Sequence, residues 1–263
     1  MQTISSVSLK TLSSIRIGGT AKHVLYPETM AELIQSKQTY PTAPIIGGGT
    51  NIYFNDRVFD IIIVTKKLTE ITNNPDGTIT AECGVHLADL FDFAAGIPAT
   101  VGGGIMMNFG AFTKEIKDYV TAVTILEGHT SKTIPAKDLS WGYRYSSLKE
   151  NRQLVLSVTF THIDLTKSET NLEQRKKAMP WGKPNIGSIF KNPTGQSAGA
   201  LIEQCGLKGH SIGDIQISTQ HANIFINNGN GTYEDLKALI VLAKNEVREK
   251  TGVSLEEEVI GII

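Results

Sequence analysis

Read for the spacing of its apolar positions, the chain alternates short strand-like runs with a few stretches of helical period. "HVLY" at 23–26 is the first such run. "PETMAELIQSK" follows, with Thr29 and Glu32 at capping-box spacing, and predicts a helix turning Met30, Leu33 and Ile34 inward. "APII" leads into Gly47, Gly48 and Gly49, and "TNIYFNDRVFDIIIVTK" after them reads as strand. "NNPDG" is a turn, "TITAEC" a strand, and "HLADLFDFAAG" at 86–96 is amphipathic. A second glycine tract, "GIPATVGGGIMMNFGAF", fills 96–112 and reads as a loop bounded by strands. Strands resume in "YVTAVTILEG", "SKTI" and "QLVLSVTFTHIDL", and the polar segment 166–180 reads as a helical crossover between domains. Beyond it come a helix near 196–205, strands in "GDIQIS" and "ANIFIN", a helix from Thr232 to about Lys250, and a closing strand to Ile263.

This order predicts an α+β protein of two linked domains, with no internal repeat. Composition adds that 25 basic residues stand against 26 acidic ones, spread along the chain, so nucleic-acid binding has no support and any anion must be held locally. Cys83 and Cys205 are too few for a disulfide scaffold, and no Cys/His spacing predicts a metal site. "MQTISSVSLK" lacks the basic end and apolar run of a leader, and no run approaches about 18 apolar residues. A cytoplasmic protein without a membrane partner is the expectation.

Three adjacent glycines carry an entropic cost of roughly 0.5–1 kcal/mol each relative to alanine. "GGGTN" lacks the lysine and hydroxyl of a P-loop and the spaced glycines of a Rossmann turn, and a strand follows it. What remains is a nest of backbone N–H groups from Gly47, Gly48 and Gly49, with Thr50 and Asn51 as donors at its edge. Alone, this loop reads equally well as a turn that binds nothing. The second tract, with candidate contacts at Ile97, Pro98, Thr100, Val101, Gly102 and Gly103 and with Asn108 and Gly110 directly after, makes a pair suited to a long ligand with a diphosphate in its middle.

The segments "SIRIGGTA", "IIGGGTN", "GIPATVGG", "MNFGAF", "WGYRYSSLK", "GSIFKNP", "AGALIEQCGLKG", "HANIFINNG" and "GVSLEEEV" occur in an order that resembles the UDP-N-acetylenolpyruvoylglucosamine reductases, flavoenzymes of peptidoglycan precursor synthesis. The resemblance runs over nearly the whole chain, and "GSIFKNP" with "GYRYS" is its most specific part. It implies a two-subdomain FAD-binding fold of the vanillyl-alcohol oxidase type over 1–165 (subdomains about 1–65 and 66–165). A C-terminal α+β substrate-binding domain over 166–263 would follow, its last strand, 253–263, returning a glutamate to the flavin. FAD would be bound non-covalently, NADPH would donate hydride, and the partner would be an enolpyruvyl UDP-sugar. No obligate protein partner is evident, and a monomer is expected.

By the same resemblance Ser188 is the proton donor, Arg144 acts on the substrate carboxylate and enolate, and Glu258 is the third catalytic residue. Serine is a very weak acid and needs a cation or relay beside it, whereas a guanidinium stays charged and can grip a carboxylate through two parallel hydrogen bonds. Strand alternation puts Glu256 and Glu258 on one face and Glu257 on the other, so Glu257 is expected to be dispensable. Substrate contacts are expected from Tyr143, Lys191, Asn192 and Lys183, with Arg175 as a further candidate. Gly48→Val is expected to give a folded, colourless protein.

Departures from the family pattern lie beside the expected flavin wall. The helix and loop before Gly96 are shortened, Ala99 stands where glycine is usual, and the absence of a tyrosine-bearing insertion matches the short subtype. Two other readings compete: a different FAD oxidoreductase on the same cofactor fold, and a non-catalytic nucleotide-binding relative. The first would be favoured by a flavin-linking histidine in the first tract, which is absent; the second is disfavoured by the joint presence of Arg144, Ser188 and Glu258.

Overall fold

Thr29 opens the first helix as its spacing predicts, and the computed structural model, which describes residues 1–150, 152–161, 163 and 169–263, sets that helix among the following elements. Strands β1 (Gln2–Ser8) and β2 (Thr20–Tyr26) precede α1 (Met30–Thr39), then β3 (Ile45–Ile46), β4 (Ile52–Phe54), β5 (Val58–Val64), β6 (Ile71–Asn73) and β7 (Ile79–Glu82). Short helices α2 (Leu87–Leu90) and α3 (Val101–Met106) come next, then the hairpin of β8 (Gly110–Ala111) and β9 (Lys114–Glu115). Strands β10 (Val120–Glu127) and β11 (Thr130–Pro135), the hairpin of β12 (Trp141–Gly142) and β13 (Tyr145–Ser146), α4 (Ser147–Glu150) and β14 (Leu154–Phe160) complete the first stretch. The remainder holds α5 (Glu169–Ala178), β15 (Asn185–Ser188), α6 (Ala198–Gln204), β16 (Ser211–Ile212), β17 (Ile215–Ile217), β18 (Ile224–Asn227), α7 (Tyr233–Thr251) and β19 (Ile260–Ile262).

These elements divide into two compact units that do not follow chain order: residues 1–5, 23–48 and 60–172 form the first, and 6–22, 49–59 and 173–263 the second. A boundary was expected at 165/166, inside a crossover whose residues 166–168 lie outside the described ones; the long break falls at 172/173. Segments 6–22 and 49–59, expected in the amino-terminal domain, cluster with the carboxyl-terminal one. Their residues Ile15, Ile17 and Tyr53 belong to the same core as Phe190, Phe225 and Leu239.

In the first unit a five-stranded sheet, ordered β11-β10-β14-β7-β6, carries the larger core; the four-stranded sheet β1-β2-β5-β3 lies mostly in this unit. A smaller core, in which Leu25, Leu33 and Ile63 meet Cys83, Leu126 and Leu156, joins these two sheets. The amphipathic stretch 86–96 does not form one helix. It makes the single turn α2, then a 3-10 turn at Asp92–Ala94, because Phe91 is extended (φ −131°) between them. Both Phe91 and Phe93 thereby enter the core, Phe91 edge-on to Phe160 at 5.2 Å.

In the second unit β15-β18-β17-β16 form a sheet against α6 and α7, and β19 runs parallel to β4 with Ile260 opposite Ile52. Helix α7 starts on a full capping box between Thr232 and Asp235 and stops at Gly252, whose φ of +73° suits a residue without Cβ. Regular strand at the carboxyl end is confined to Ile260–Ile262, shorter than the expected 253–263 and beginning two residues after Glu258.

Candidate functional site

The glycine loops of the first unit are tight for a reason the sequence did not disclose. A Cβ on Gly47 would run into the Thr100 hydroxyl, and one on Gly48 into the Pro98 carbonyl. The missing side chains let one loop lie on the other. Gly48→Val therefore breaks protein packing before it reaches any ligand, which corrects the expectation of a merely colourless protein. The second tract is not loop throughout: α3 runs through Val101, Gly102 and Gly103, although glycine costs a helix about 1 kcal/mol relative to alanine. Gly102 is explained by packing, since its Cβ would lie 3.0 Å from that of Cys83. Burial raises the Cys83 thiol to about 12, leaving it inert behind the tract.

Two features of this region have no explanation within the protein. A Cβ on Gly103 would have only Thr100 Oγ1, at 3.8 Å, within reach. The hydroxyl of Thr100, a residue 1% exposed, has no hydrogen-bond partner among the described residues. An unsatisfied buried hydroxyl beside open backbone fits a cofactor with polar atoms lying over Gly103. Neighbouring donors are committed: Val101 N–H donates to Val85 and Gly102 N–H to Cys83, both at 2.8 Å, and Ile97 N–H to Ala94 at 3.0 Å. Asn108 is committed as well. Fully buried at φ +43°, it donates to Glu115 (3.1 Å) and the Gly142 carbonyl (2.9 Å) and accepts from Lys117 N–H, so only its backbone could meet a cofactor.

Arg144 is at the turn between β12 and β13, in left-handed conformation (φ +56°), and Tyr143 beside it is exposed. Its Nη2 donates to the Gly110 carbonyl at 3.1 Å, and its guanidinium lies 5.0 Å from the Tyr143 ring centre. A Cβ on Gly110 would crowd the Lys114 carbonyl at 3.0 Å and Arg144 Nη1 at 3.3 Å. Glu115 feels the same cation: burial pushes its pKa up, but hydrogen bonds from Lys117 and Asn108 with the charges of Lys117 and Arg144 bring it below the usual value.

In the second unit the stretch 189–191 pairs with 256–258. Glu258 N–H donates to Ile189 at 2.8 Å, Lys191 N–H to Glu256 at 2.9 Å, and Phe190 stands opposite Glu257 in an isolated bridge. Ser188, half-buried, precedes this pairing at the end of β15, where Gly187 (φ +75°) breaks the register against β18. Asn223 fixes the neighbouring turn from both sides, accepting from Phe190 N–H at 3.0 Å and donating to its carbonyl at 2.8 Å. Asn51, expected on the cofactor, donates through Nδ2 to the Glu258 carbonyl at 3.1 Å, and its own carbonyl accepts from Ile260 at 3.0 Å. The polypeptide after Gly49 is thus tied to the segment bearing Glu258. Sequence reasoning missed Asn223, which lies 33 residues from its partner and carries no local signal.

Among the expected substrate contacts, Lys191 pairs with Glu256 at 2.5 Å and Asn192 accepts from Ala198 N–H at the start of α6. Lys183 is exposed and Arg175 is buried on α5. His221 accepts from Asn223 N–H through Nδ1 at 3.2 Å, and burial lowers its pKa, as befits a neutral structural imidazole. Among the described residues no group of His, Cys, Asp and Glu could hold a metal ion, and no helix is long and apolar enough to cross a membrane.

Residues 21–132 match the FAD binding domain family, which makes the chain a flavoprotein of the FAD-binding type. Residues 179–262 match the C-terminal domain of UDP-N-acetylenolpyruvoylglucosamine reductase. The chain is 37% identical to the UDP-N-acetylenolpyruvoylglucosamine reductase of Fusobacterium nucleatum over 99% of both sequences. It is 36% identical to that of Petrotoga mobilis over 95% of this chain and 91% of that one. The crystal structure of the Thermus caldophilus reductase superposes with a TM-score of 0.79 at 27% identity, covering 99% of this chain and 98% of the other. The chain belongs to the UDP-N-acetylenolpyruvoylglucosamine reductase family.

Proposed function

We propose that the protein reduces UDP-N-acetylglucosamine enolpyruvate to UDP-N-acetylmuramate, with FAD as bound cofactor and NADPH as hydride donor, in peptidoglycan precursor synthesis. The observation that carries this reading is the relationship to the reductases over the full length of the chain. FAD, when bound, would supply hydride-transfer chemistry, with NADPH as the source of hydride and the methylene carbon of the enolpyruvyl ether as its destination. The neighbouring carbon becomes an enolate and needs one proton. Thr100, Gly103 and the Gly47–Gly49 loop would hold the cofactor, and Thr50, Ile97 and Pro98 would line it by backbone.

Arg144 holds the substrate carboxylate and offsets the enolate charge, since its guanidinium remains protonated at every working pH. Ser188 gives its hydroxyl proton to the enolate carbon. Glu258, joined to Ile189 by its N–H and so one residue from Ser188 along the pairing, supports that transfer. Tyr143, Lys183, Lys191 and Asn192 contact the UDP-sugar, Lys191 by exchanging the exposed Glu256 carboxylate for phosphate. A monomer in the cytoplasm suffices, because every role is filled from one chain and both nucleotides are soluble.

Ser188→Ala tests the assignment, because NADPH-driven bleaching of the flavin needs no proton at the substrate. The variant bleaches at the parental rate and recolours at least about 100-fold more slowly with the enolpyruvyl UDP-sugar. Equal slowing of both half-reactions would instead make Ser188 a structural residue.

A further inference from the structure

The three adjacent glutamates have different surroundings, and the middle one is tied to the helix behind it. Glu256 has a side chain 71% exposed and pairs with Lys191. The side chain of Glu257, 24% exposed, is engaged by two lysines from α7, Lys237 at 3.4 Å and Lys244 at 3.2 Å. Seven residues apart, these lysines share one helix face. Lys237 also approaches the Tyr53 hydroxyl at 3.4 Å and lies 5.8 Å from that ring. Burial alone would lower the Lys237 pKa, but Tyr53 and Glu257 reverse this and hold the ammonium charged. Tyr53, 3% exposed, is part of β4 and lies against Gly261, whose Cβ would be 3.0 Å from the ring. Glu257 thus ties the carboxyl-terminal segment to α7 through a cluster that includes its neighbouring strand.

The backbone of that segment is hydrogen-bonded on both sides, through Glu256 and Glu258 to 189–191 and through the Glu258 carbonyl to Asn51, without forming a regular strand. Between Leu255 and Ile260 there is one isolated bridge, Phe190 with Glu257, and no continuous strand. Those bonds hold the peptides of 256–258 to their neighbours, whereas a side chain held at two points on a rigid helix sets how the segment sits against α7. We propose that Glu257 is a positioning residue for the reduction. Its two ion pairs with α7 brace 256–258 from the helix side, and with them the orientation of Glu258 toward the Ser188 turn. The proposal rests on the assignment of Ser188 and Glu258 to proton delivery, and it reverses the expectation that Glu257 is dispensable. Partly exposed ion pairs add little to global stability, so the effect falls on the geometry of Glu258 and not on folding.

The test uses the FAD-loaded full chain and follows the half-reactions separately by flavin absorbance. In Glu257→Gln, flavin content, melting temperature, NADPH bleaching and substrate affinity remain parental, while recolouring by the enolpyruvyl UDP-sugar slows about tenfold. The double variant Lys237→Gln with Lys244→Gln shows the same slowing, and adding Glu257→Gln to it slows recolouring no further. Lys237→Arg with Lys244→Arg keeps the charges and restores most of the parental rate. Parental recolouring in Glu257→Gln, or equal slowing of both half-reactions, overturns the proposal. If Glu257→Gln fails to fold, the lysine pair decides by the same criteria. Glu258→Gln, run in parallel, separates the two levels: parental recolouring there removes the assignment beneath the proposal, whereas slow recolouring there beside parental Glu257→Gln removes the proposal alone.

Discussion

Around Thr100 the first unit offers an unpartnered hydroxyl and open backbone at Gly103, while around Glu257 the second unit gathers Lys237, Lys244 and Tyr53 within 3.4 Å of a neighbour. The contrast follows from what each region handles. A dinucleotide cofactor brings its own charge, planes and phosphates, so a scaffold that binds it needs close approach and fixed donors, which backbone supplies without titrating. Moving a proton to a carbon needs ionisable groups at set positions, and such groups stay put only when partners hold them. One region is therefore defined by side chains it lacks, and the other by side chains it pairs.

The contrast breaks most visibly at Arg144, the charged group of the first unit held beside Gly110. Arg144→Lys keeps the charge and loses the two-pronged grip, so kcat/KM falls by about 100-fold while the protein keeps its full complement of non-covalently bound FAD. Steady-state kinetics and the visible spectrum check both halves of that expectation, and an active lysine variant would reduce Arg144 to a point charge.

A smaller effect sharpens the cofactor side. Thr100→Val removes the unpartnered hydroxyl, so apoprotein stability holds or rises, whereas FAD affinity drops about tenfold, in line with roughly 1 kcal/mol for one hydrogen bond. Fluorescence titration of apoprotein with FAD, beside a thermal melt of the same sample, gives both numbers. Unchanged affinity would detach the hydroxyl from the cofactor.

The smallest effect concerns His221. Its folded pKa is depressed by burial below the ordinary 6.5, so the unfolded chain binds the proton more readily. The contribution to stability is therefore fully present above about pH 6.5 and declines as pH falls through that value toward the folded pKa. Denaturant melts from pH 7.5 to 5.5 should show that decline in the parent and a flatter profile in His221→Gln.

Much of this was legible where a local rule governs. Thr232 and Gly252 announce both ends of α7, Thr29 opens α1, and alternation gives β10 and β14. The glycine tracts announced close approach, but not that Gly47 and Gly48 approach the second tract, nor that α3 would form through Gly102 and Gly103. Helix propensity argues against that helix, and contacts with Cys83 and Leu87, distant in sequence, override it. The assignment of 6–22 and 49–59 to the second unit escaped for the same reason, since Ile15 and Tyr53 find their core partners near 190–260. The triple glutamate was read by alternation and by the family pattern, neither of which reaches Lys237 and Lys244 at heptad spacing on a distant helix.

The central claim is that this chain couples a bound flavin to an enolpyruvyl UDP-sugar, and one anaerobic absorbance trace tests it. Purified protein should be yellow, bleach on addition of NADPH and recover its colour when one equivalent of the enolpyruvyl UDP-sugar is added, with UDP-N-acetylmuramate formed in equal amount. Protein that binds no flavin, or that bleaches with NADPH and stays colourless with the UDP-sugar, would contradict the account.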